Sequence, residues 1–390
     1  MKKLHYIILL FFPVAMLAQD GWVEQNSGIS ENINSLYFFS SSTGFAAGNN
    51  GKLIQTTDGG TTWSVNSIVS TSNFQKIFFR NSTDGYLLSQ DGKLYTTTDT
   101  GVSWTEETLD IHGLNSIAFN GNNGVIVGDD GKVFTSIDGS NWTKQSVSLG
   151  VFTVNDVLFF DDTTVIAVGA GGWLYRSINK GITWLPAINS GTNETLSAIE
   201  KMNDSTMLIA GNGGKVIEYE PTSGSLKFVA VGLTSIALKD ISCSQDDVCH
   251  VVGNESTVLI KTFDNWLVRK LDDNVNLNTV QFLNHQTGYV GGITGVIYRH
   301  DGGGFQNSIA EIKKNDVSIF PNPVSNILHI AHPIMENMSI NIFDSFGKLV
   351  TTIYGTGDNS IVNTGDLPSG IYVLQIAGSQ SRINKKLIKK

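Results

Sequence analysis

The residues whose types and spacing suggest chemistry are aspartates in a recurring segment, Ser/Thr-x-Asp-x-Gly-x-Ser/Thr-Trp. TTDGGTTW (56–63) and TTDTGVSW (97–104) match in full. SIDGSNW (136–142) is one residue short, and SINKGITW (177–184) has Asn179 for the aspartate. FDNW (263–266) and HDGGGF (300–305) keep fragments. A carboxylate works on a glycosidic bond only beside a second one at a set distance. Flanked by hydroxyls and glycine, its nearer chemistry is to accept backbone N–H groups of its own turn. Asp58, Asp99 and Asp138 therefore read as structural. Gly60 and Gly101 supply the left-handed position. Trp63, Trp104, Trp142 and Trp184 wedge between neighbouring units.

Other chemistries find little support. The histidines are scattered without metal-ligand spacing, and Asp129-Asp130-Gly131 lacks the ligand pattern of a calcium loop, so no metal and no cofactor are expected. Asp91, Asp129, Asp130 and Glu255 read as solvated turn residues. Net charge is −9, with +2 from Lys2 and Lys3, +2 after Val317 and hence −13 between. Such an acidic body argues against a nucleic-acid partner. Cys243 and Cys249 sit at opposite ends of a strand–turn–strand. A disulfide suits an oxidising compartment; two free buried thiols are the alternative.

These segments belong to a repeat of about forty residues. Turn glycines fall at Gly51, Gly92, Gly131, Gly172, Gly214 and Gly295, with Thr257 at the sixth position. Before each comes an apolar-x-x-apolar-x-aromatic strand, as in Ile33, Leu36, Phe38 and Phe74, Ile77, Phe79. Short strands and tight turns at this period predict an all-β, seven-bladed β-propeller. The segment 21–28 resembles the outer strand that follows each aspartate turn, and completes the last blade; FQNS (305–308) competes for that slot.

The Gly-turns gather on one face Asn49, Asn50, Asp91, Asp129 and Asp130, followed by Lys52, Lys93, Lys132, Trp173 and Lys215. One reading is a partial ring of lysines serving as an anion or glycan platform, with Trp173 for stacking. The other is lysines screening turn acids, with Trp173 filling a gap between blades.

The chain ends differ from the ring. Residues 1–18 read as a signal peptide: Lys2 and Lys3, then an apolar stretch too short to span a bilayer, with cleavage after Ala18. No later segment reads as a membrane helix. The propeller occupies 19–308, a linker 309–316, and a small C-terminal β-sandwich 317–390.

The repeat resembles bacterial neuraminidase (Asp-box) propellers and, among them, the photosystem II stability and assembly factor-like family. The strings carrying this are GKLIQTTDGGTTW (51–63) and ISCSQDDVCHVVG (241–253). The resemblance implies a seven-bladed ring and an assembly role in photosynthetic members. Their basic patch is not recoverable from Arg80, Arg176, Arg269 and Arg299, which fall at different repeat positions. The same four do not supply the three-arginine site a sialidase needs.

Pro321-Asn322-Pro323, Asp344 with Gly347, Gly370 with Tyr372, and the terminal Lys389 and Lys390 resemble the sorting domain of the type IX secretion system. That resemblance implies the secretion machinery as a partner and export to the cell surface or medium. The expected function is a non-catalytic binding or scaffold propeller for a protein or glycan. The alternatives are an Asp-box glycoside hydrolase and an assembly factor for an envelope complex.

Overall fold

The structure is a computed structural model. It describes residues 21–301 and 318–390, apart from 67, 69, 112, 146–148, 151, 245–247, 263–264, 272–273, 332–338, 345–347, 355–358, 366 and 378–381. The expected signal peptide, the linker and FQNS lie outside the described residues. Two compact units divide at Gly302/Gly303.

The first unit is an all-β propeller. Seven four-stranded antiparallel sheets follow one another along the chain. Their innermost strands are Ile33–Phe38, Phe74–Phe79, Leu114–Asn120, Val154–Phe159, Leu196–Lys201, Leu238–Cys243 and Leu277–Phe282. Each contacts the next, and the last returns to the first, so the ring closes. In the seventh sheet the outer strand is Trp22–Gln25 from the start of the chain, paired with Ile297–Asp301. This removes an open sheet edge, where unpaired backbone groups would otherwise face solvent or another chain.

Every innermost strand carries a register shift after its first residue. A bulge re-aims the side chain at that point. Here it turns asparagines toward the next blade. Asn34, Asn115, Asn155 and Asn278 donate to the carbonyls of Phe74, Val154, Leu196 and Ile33, at 2.8, 3.0, 2.7 and 2.9 Å. The last of these links the seventh blade to the first.

Between blades lie apolar clusters. Phe45, Ala47 and Leu53 of the first blade pack with Phe74, Ile77, Phe79, Leu87 and Tyr95 of the second. Each fully buried Phe or Leu contributes roughly 1.5–3 kcal/mol. The aspartate-box tryptophans seal the outer margin: Trp63, Trp104, Trp142 and Trp184 are half-buried against these clusters.

Cys243 and Cys249 are bonded and stand directly opposite each other in register. At the equivalent place in the first blade Phe38 lies over Gly44, where an added Cβ would be 2.3 Å from the ring. The disulfide replaces that aromatic-on-glycine contact in the sixth blade.

The turn of the sixth blade differs from the expected alignment. Gly253 aligns with Gly48, so Ser256, not Thr257, occupies the glycine position. Ser256 takes the left-handed conformation, φ 55°. The Ser256 hydroxyl accepts the Val275 N–H at 2.7 Å, anchoring a conformation that glycine otherwise supplies. At Gly51, φ 67°, a Cβ would meet the Ser70 carbonyl at 1.9 Å, so the turn presses on the link to the next blade.

The second unit is a β-sandwich. A three-stranded sheet (Ser318–Phe320, Ile327–Ala331, Asn359–Asn363) and a four-stranded sheet (Ser339–Phe343, Leu349–Tyr354, Gly370–Ala377, Arg382–Lys389) enclose one core. That core includes Val324, Leu328, Ile330, Ile342, Leu374 and Leu387. Asn322 precedes a cis proline; its side chain accepts the Ile388 N–H and donates to the Lys386 carbonyl, both at 2.8 Å. The Pro-Asn-Pro turn thus grips the C-terminal strand. The lysine-rich end is therefore not a loose tail: Leu387 and Lys389 are buried in a paired strand while Lys390 is exposed. Tyr372 donates its hydroxyl to the Pro368 carbonyl at 2.8 Å. Gly370 opens its strand, and Gly347 lies outside the described residues.

Replacing Trp63 by Ala is expected to cost roughly 2–4 kcal/mol, below the range for a fully buried tryptophan because Trp63 is half-exposed. Chemical unfolding monitored by near-ultraviolet circular dichroism checks this; an unchanged midpoint would contradict the inter-blade placement.

Candidate functional site

The aspartates are consumed by their own turns. Asp58 accepts the Thr62 N–H at 2.9 Å and the Thr62 hydroxyl at 2.7 Å, while Thr56 donates to it at 2.9 Å. Asp99 repeats the pattern with Ser103 and Thr97. The shorter box keeps it too: Asp138 accepts the Ser140 and Asn141 N–H groups, both at 2.8 Å. In the fourth blade Asn179 accepts the Thr183 N–H at 2.9 Å and donates its amide to the Thr183 hydroxyl at 2.8 Å, so the bonds rather than the charge define the turn. The Ser103 hydroxyl and then its N–H hold the Asp99 carboxyl down to about 2. Thr62 holds Asp58 below its usual range, as the Asn141 N–H does for Asp138. Gly101, φ 80°, sits where a Cβ would be 2.7 Å from Phe45 of the preceding blade. Gly60 is likewise at positive φ.

On the Gly-turn face, three of the four lysines are ion-paired. Lys52 lies 3.7 Å from Glu31, Lys93 2.8 Å from Glu106 and Lys132 2.9 Å from Asp110. Lys215 is half-buried. Asn49 accepts from Asn34 and Asp129 from Asn115, while Asp91 accepts from Ser72 and Ser89. The Asn50 N–H donates to Asn73, and Asp130 lies 3.7 Å from Lys132. Trp173 is half-buried against the apolar cluster between the third and fourth blades. In the partial ring of lysines, Lys52, Lys93 and Lys132 are charge-paired, and the rim is tied to the links between blades.

The arginines need a further correction. Arg176 and Arg299 each stand four residues after a turn glycine, so they share a repeat position. Arg299 donates to the Gly59 carbonyl, and Arg80 to the Asp138 carbonyl at 3.0 Å, bracing boxes of the next blade. None of the four arginines lines the central channel.

That channel is the site the repeat pattern did not reveal. Seven innermost strands surround a cavity of about 220 Å³. Its lining holds one lysine and three acids, Lys76, Asp156, Glu200 and Asp240. Lys76, Asp156 and Asp240 are the residues just past the bulge in blades two, four and six. Glu200 lies two positions further along its strand than that repeat position, which Ala198 fills.

Two of the carboxylates are structural. Asp156 accepts the Ser116 hydroxyl, the Val157 N–H at 3.0 Å and, from the next blade, the Ile199 N–H at 2.9 Å. Asp240 accepts the Ile241 N–H at 3.0 Å and the Val280 N–H of the next blade at 2.9 Å. The Ser35 and Ser242 hydroxyls accept the Ile77 and Phe282 N–H groups in the same manner. Glu200 is different. Burial, then repulsion from Asp156, pushes its carboxyl up to about 8, although Lys76 pulls the other way. Burial also raises Asp240, again against Lys76. Burial opposes the charge on Lys76, yet Asp156, Asp240 and Glu200 together raise it above its ordinary value. These side chains face the channel with partial solvent exposure, except Asp156, which is buried.

A closed ring of four-stranded blades, sealed by aspartate-box turns, defines an Asp-box β-propeller. The chain belongs to the family described as "Photosynthesis system II assembly factor YCF48", which matches residues 14–301. Residues 318–390 match "Secretion system C-terminal sorting domain". Among solved structures, "YCF48 bound to D1 peptide" is 21% identical with a TM-score of 0.61, covering 72% of this chain and 97% of that one. YCF48 from Cyanidioschyzon merolae is 16% identical with a TM-score of 0.61, covering 72% and 99%. A streptogramin B lyase is 11% identical with a TM-score of 0.63, covering 71% and 96%. At these identities the likeness shows the fold. An endo-acting ulvan lyase of Formosa agariphila is 32% identical over 81 residues, 20% of this chain and 16% of that protein. The chain thus spans about a sixth of the length of this curated relative. The sorting domain marks the protein for type IX export to the cell surface or medium. Among the described residues no helix is long and apolar enough to cross a membrane.

Two pH predictions follow from opposite signs. Asp99 titrates below its unfolded value, so its contribution is present above about pH 4 and is lost as pH falls toward about 2. Asp99→Asn, which keeps the turn as Asn179 does, should soften the acid loss of melting temperature in that window. Glu200 titrates above its unfolded value, so its contribution is fully present below about pH 4.5 and is lost as pH rises through about 8. Glu200→Gln should flatten that decline in a series of melts; an unchanged slope would show that Glu200 is not held protonated.

Proposed function

We propose that this protein is an exported, non-catalytic binding propeller whose ligand is a protein or a glycan. The observation that carries the reading is the state of its carboxylates. The aspartate-box groups are saturated by their own turns, and Asp156 and Asp240 by backbone N–H groups of their own and the next blade. A hydrolytic pair needs one carboxylate free to attack or to activate water. The channel instead offers an accessible polar cavity in a rigid frame, which is the form of a recognition site. The sorting domain supplies the delivery route, and the structural neighbour described as bound to D1 peptide supports binding to another protein as the first case to examine.

A panel of aryl glycosides and natural polysaccharides incubated with the full chain is expected to show no turnover. Turnover abolished by Glu200→Gln would establish an enzyme and overturn this reading. Deleting 318–390 is expected to move the protein from the cell surface or medium to the periplasm, scored by fractionation and immunoblotting. Unchanged export would sink the sorting role.

A further inference from the structure

The channel lining is unevenly divided around the ring. At the repeat position of Glu200 the blades carry, in order, Tyr37, Phe78, Ala118, Leu158, Glu200, Ser242 and Gln281. All seven line the cavity. The fifth blade of seven stands across the ring from the first and second, so the topology sets Glu200 opposite Tyr37 and Phe78. One flank is aromatic and aliphatic; the other carries a carboxylate, a hydroxyl and an amide. Phe78 is braced by Phe119, stacked at 5.7 Å, and the Tyr37 hydroxyl is held by the Phe79 carbonyl at 2.9 Å. Both aromatic side chains keep partial exposure to the channel.

The charges do not balance. Three carboxylates face one ammonium, and among the described residues no ion pair within 4.0 Å joins Lys76 to Asp156, Glu200 or Asp240. Asp156 and Asp240 spend their oxygens on the backbone. Glu200 is left as the carboxylate with capacity to spare. A metal ion is a poor match, since the described residues contain no group of three or more metal-ligating side chains. The cavity, about 220 Å³, is smaller than the roughly 300–1,000 Å³ of sites for drug-sized ligands, so it fits one small group and not a sugar chain.

We propose that the channel binds an organic cation, a primary ammonium on an apolar stem, with Glu200 as its counter-ion and Tyr37 and Phe78 against the stem. The aromatic flank adds apolar burial of the stem to the ion pair. Free amines and lysine side chains of a partner protein share this chemistry. The proposal rests on reading the propeller as a binding module and names the chemistry of what it binds.

Proton linkage supplies a second signature. The charged and titratable groups around Glu200 are Lys76 from the second blade, Asp156 from the fourth, Asp240 from the sixth and Tyr37 from the first; Ser242 and Gln281 are neutral. Glu200 is mostly protonated below about pH 8 and must release its proton to take a cation. Affinity therefore rises with pH, approaching about tenfold per unit well below that value.

Calorimetric titration of the full chain with hexylammonium chloride tests this, with hexanol as the neutral isostere and Ac-Gly-Lys-Gly-amide as the peptide arm. At least one of the two cations should bind saturably at one site per chain, at least about tenfold more tightly than hexanol. Glu200→Gln should weaken that binding about tenfold or more, and Phe78→Leu should weaken it several-fold. Tighter binding of the peptide assigns the cation to a protein partner; tighter binding of hexylammonium assigns it to a free amine. No saturable binding of either cation, equal binding of hexanol, or affinity that does not rise between about pH 6 and about pH 9 overturns the proposal. The hexanol comparison and the pH series use the unaltered chain, so they decide even if a variant fails to fold. Failure here would leave the export and turnover experiments standing, because neither measures cation binding.

Discussion

The ring depends on the bulge near the start of each innermost strand. These strands are sheet edges, and their outward backbone groups must find partners without a further strand beside them. The bulge solves this by turning one side chain toward the next blade and the residue after it into the channel. Asparagines latch carbonyls of the following blade, and Asp156, Asp240, Ser35 and Ser242 take up its N–H groups. Without these bonds, seven sheets would have apolar faces to pack but no fixed rotation between neighbours.

The same constraint creates the candidate site. Polar side chains are placed in the channel to satisfy backbone groups, and their charges then act on whatever else lies there. Burial, and then repulsion from the two aspartates committed to the backbone, raises the proton affinity of Glu200, which has fewer partners of its own. Lys76 offsets part of that repulsion. A charged, water-accessible cavity in a frame held by apolar clusters is thus a by-product of closure.

Much of the architecture was legible because its physics is local. The aspartate box needs only residues within one turn, so Asp58, Asp99 and Asp138 could be assigned from neighbouring hydroxyls and glycines. The outer strand at 22–25 was readable from its likeness to the segments after each box. Misreadings came where register mattered. A single residue separates Thr257 from Ser256, and only pairing against Leu238–Cys243 resolves which fills the left-handed position. Arg176 and Arg299 looked unrelated until strand alignment placed both four residues after a glycine. The terminal lysines read as a mark of the sorting domain, and only strand pairing shows that Leu387 and Lys389 of that strand are buried in the sandwich.

By itself the sequence determined the repeat, its all-β character, the role of the tryptophan-bearing turns and the export module, since each is written in short segments whose chemistry is complete within a few neighbours. Only the tertiary structure decided which lysines are ion-paired and which charged groups share the channel. Lys76, Asp156, Glu200 and Asp240 lie forty to eighty residues apart in successive or alternate blades, in strands that look like ordinary core. Their electrostatics arises from curvature around a common axis, a property no single repeat contains.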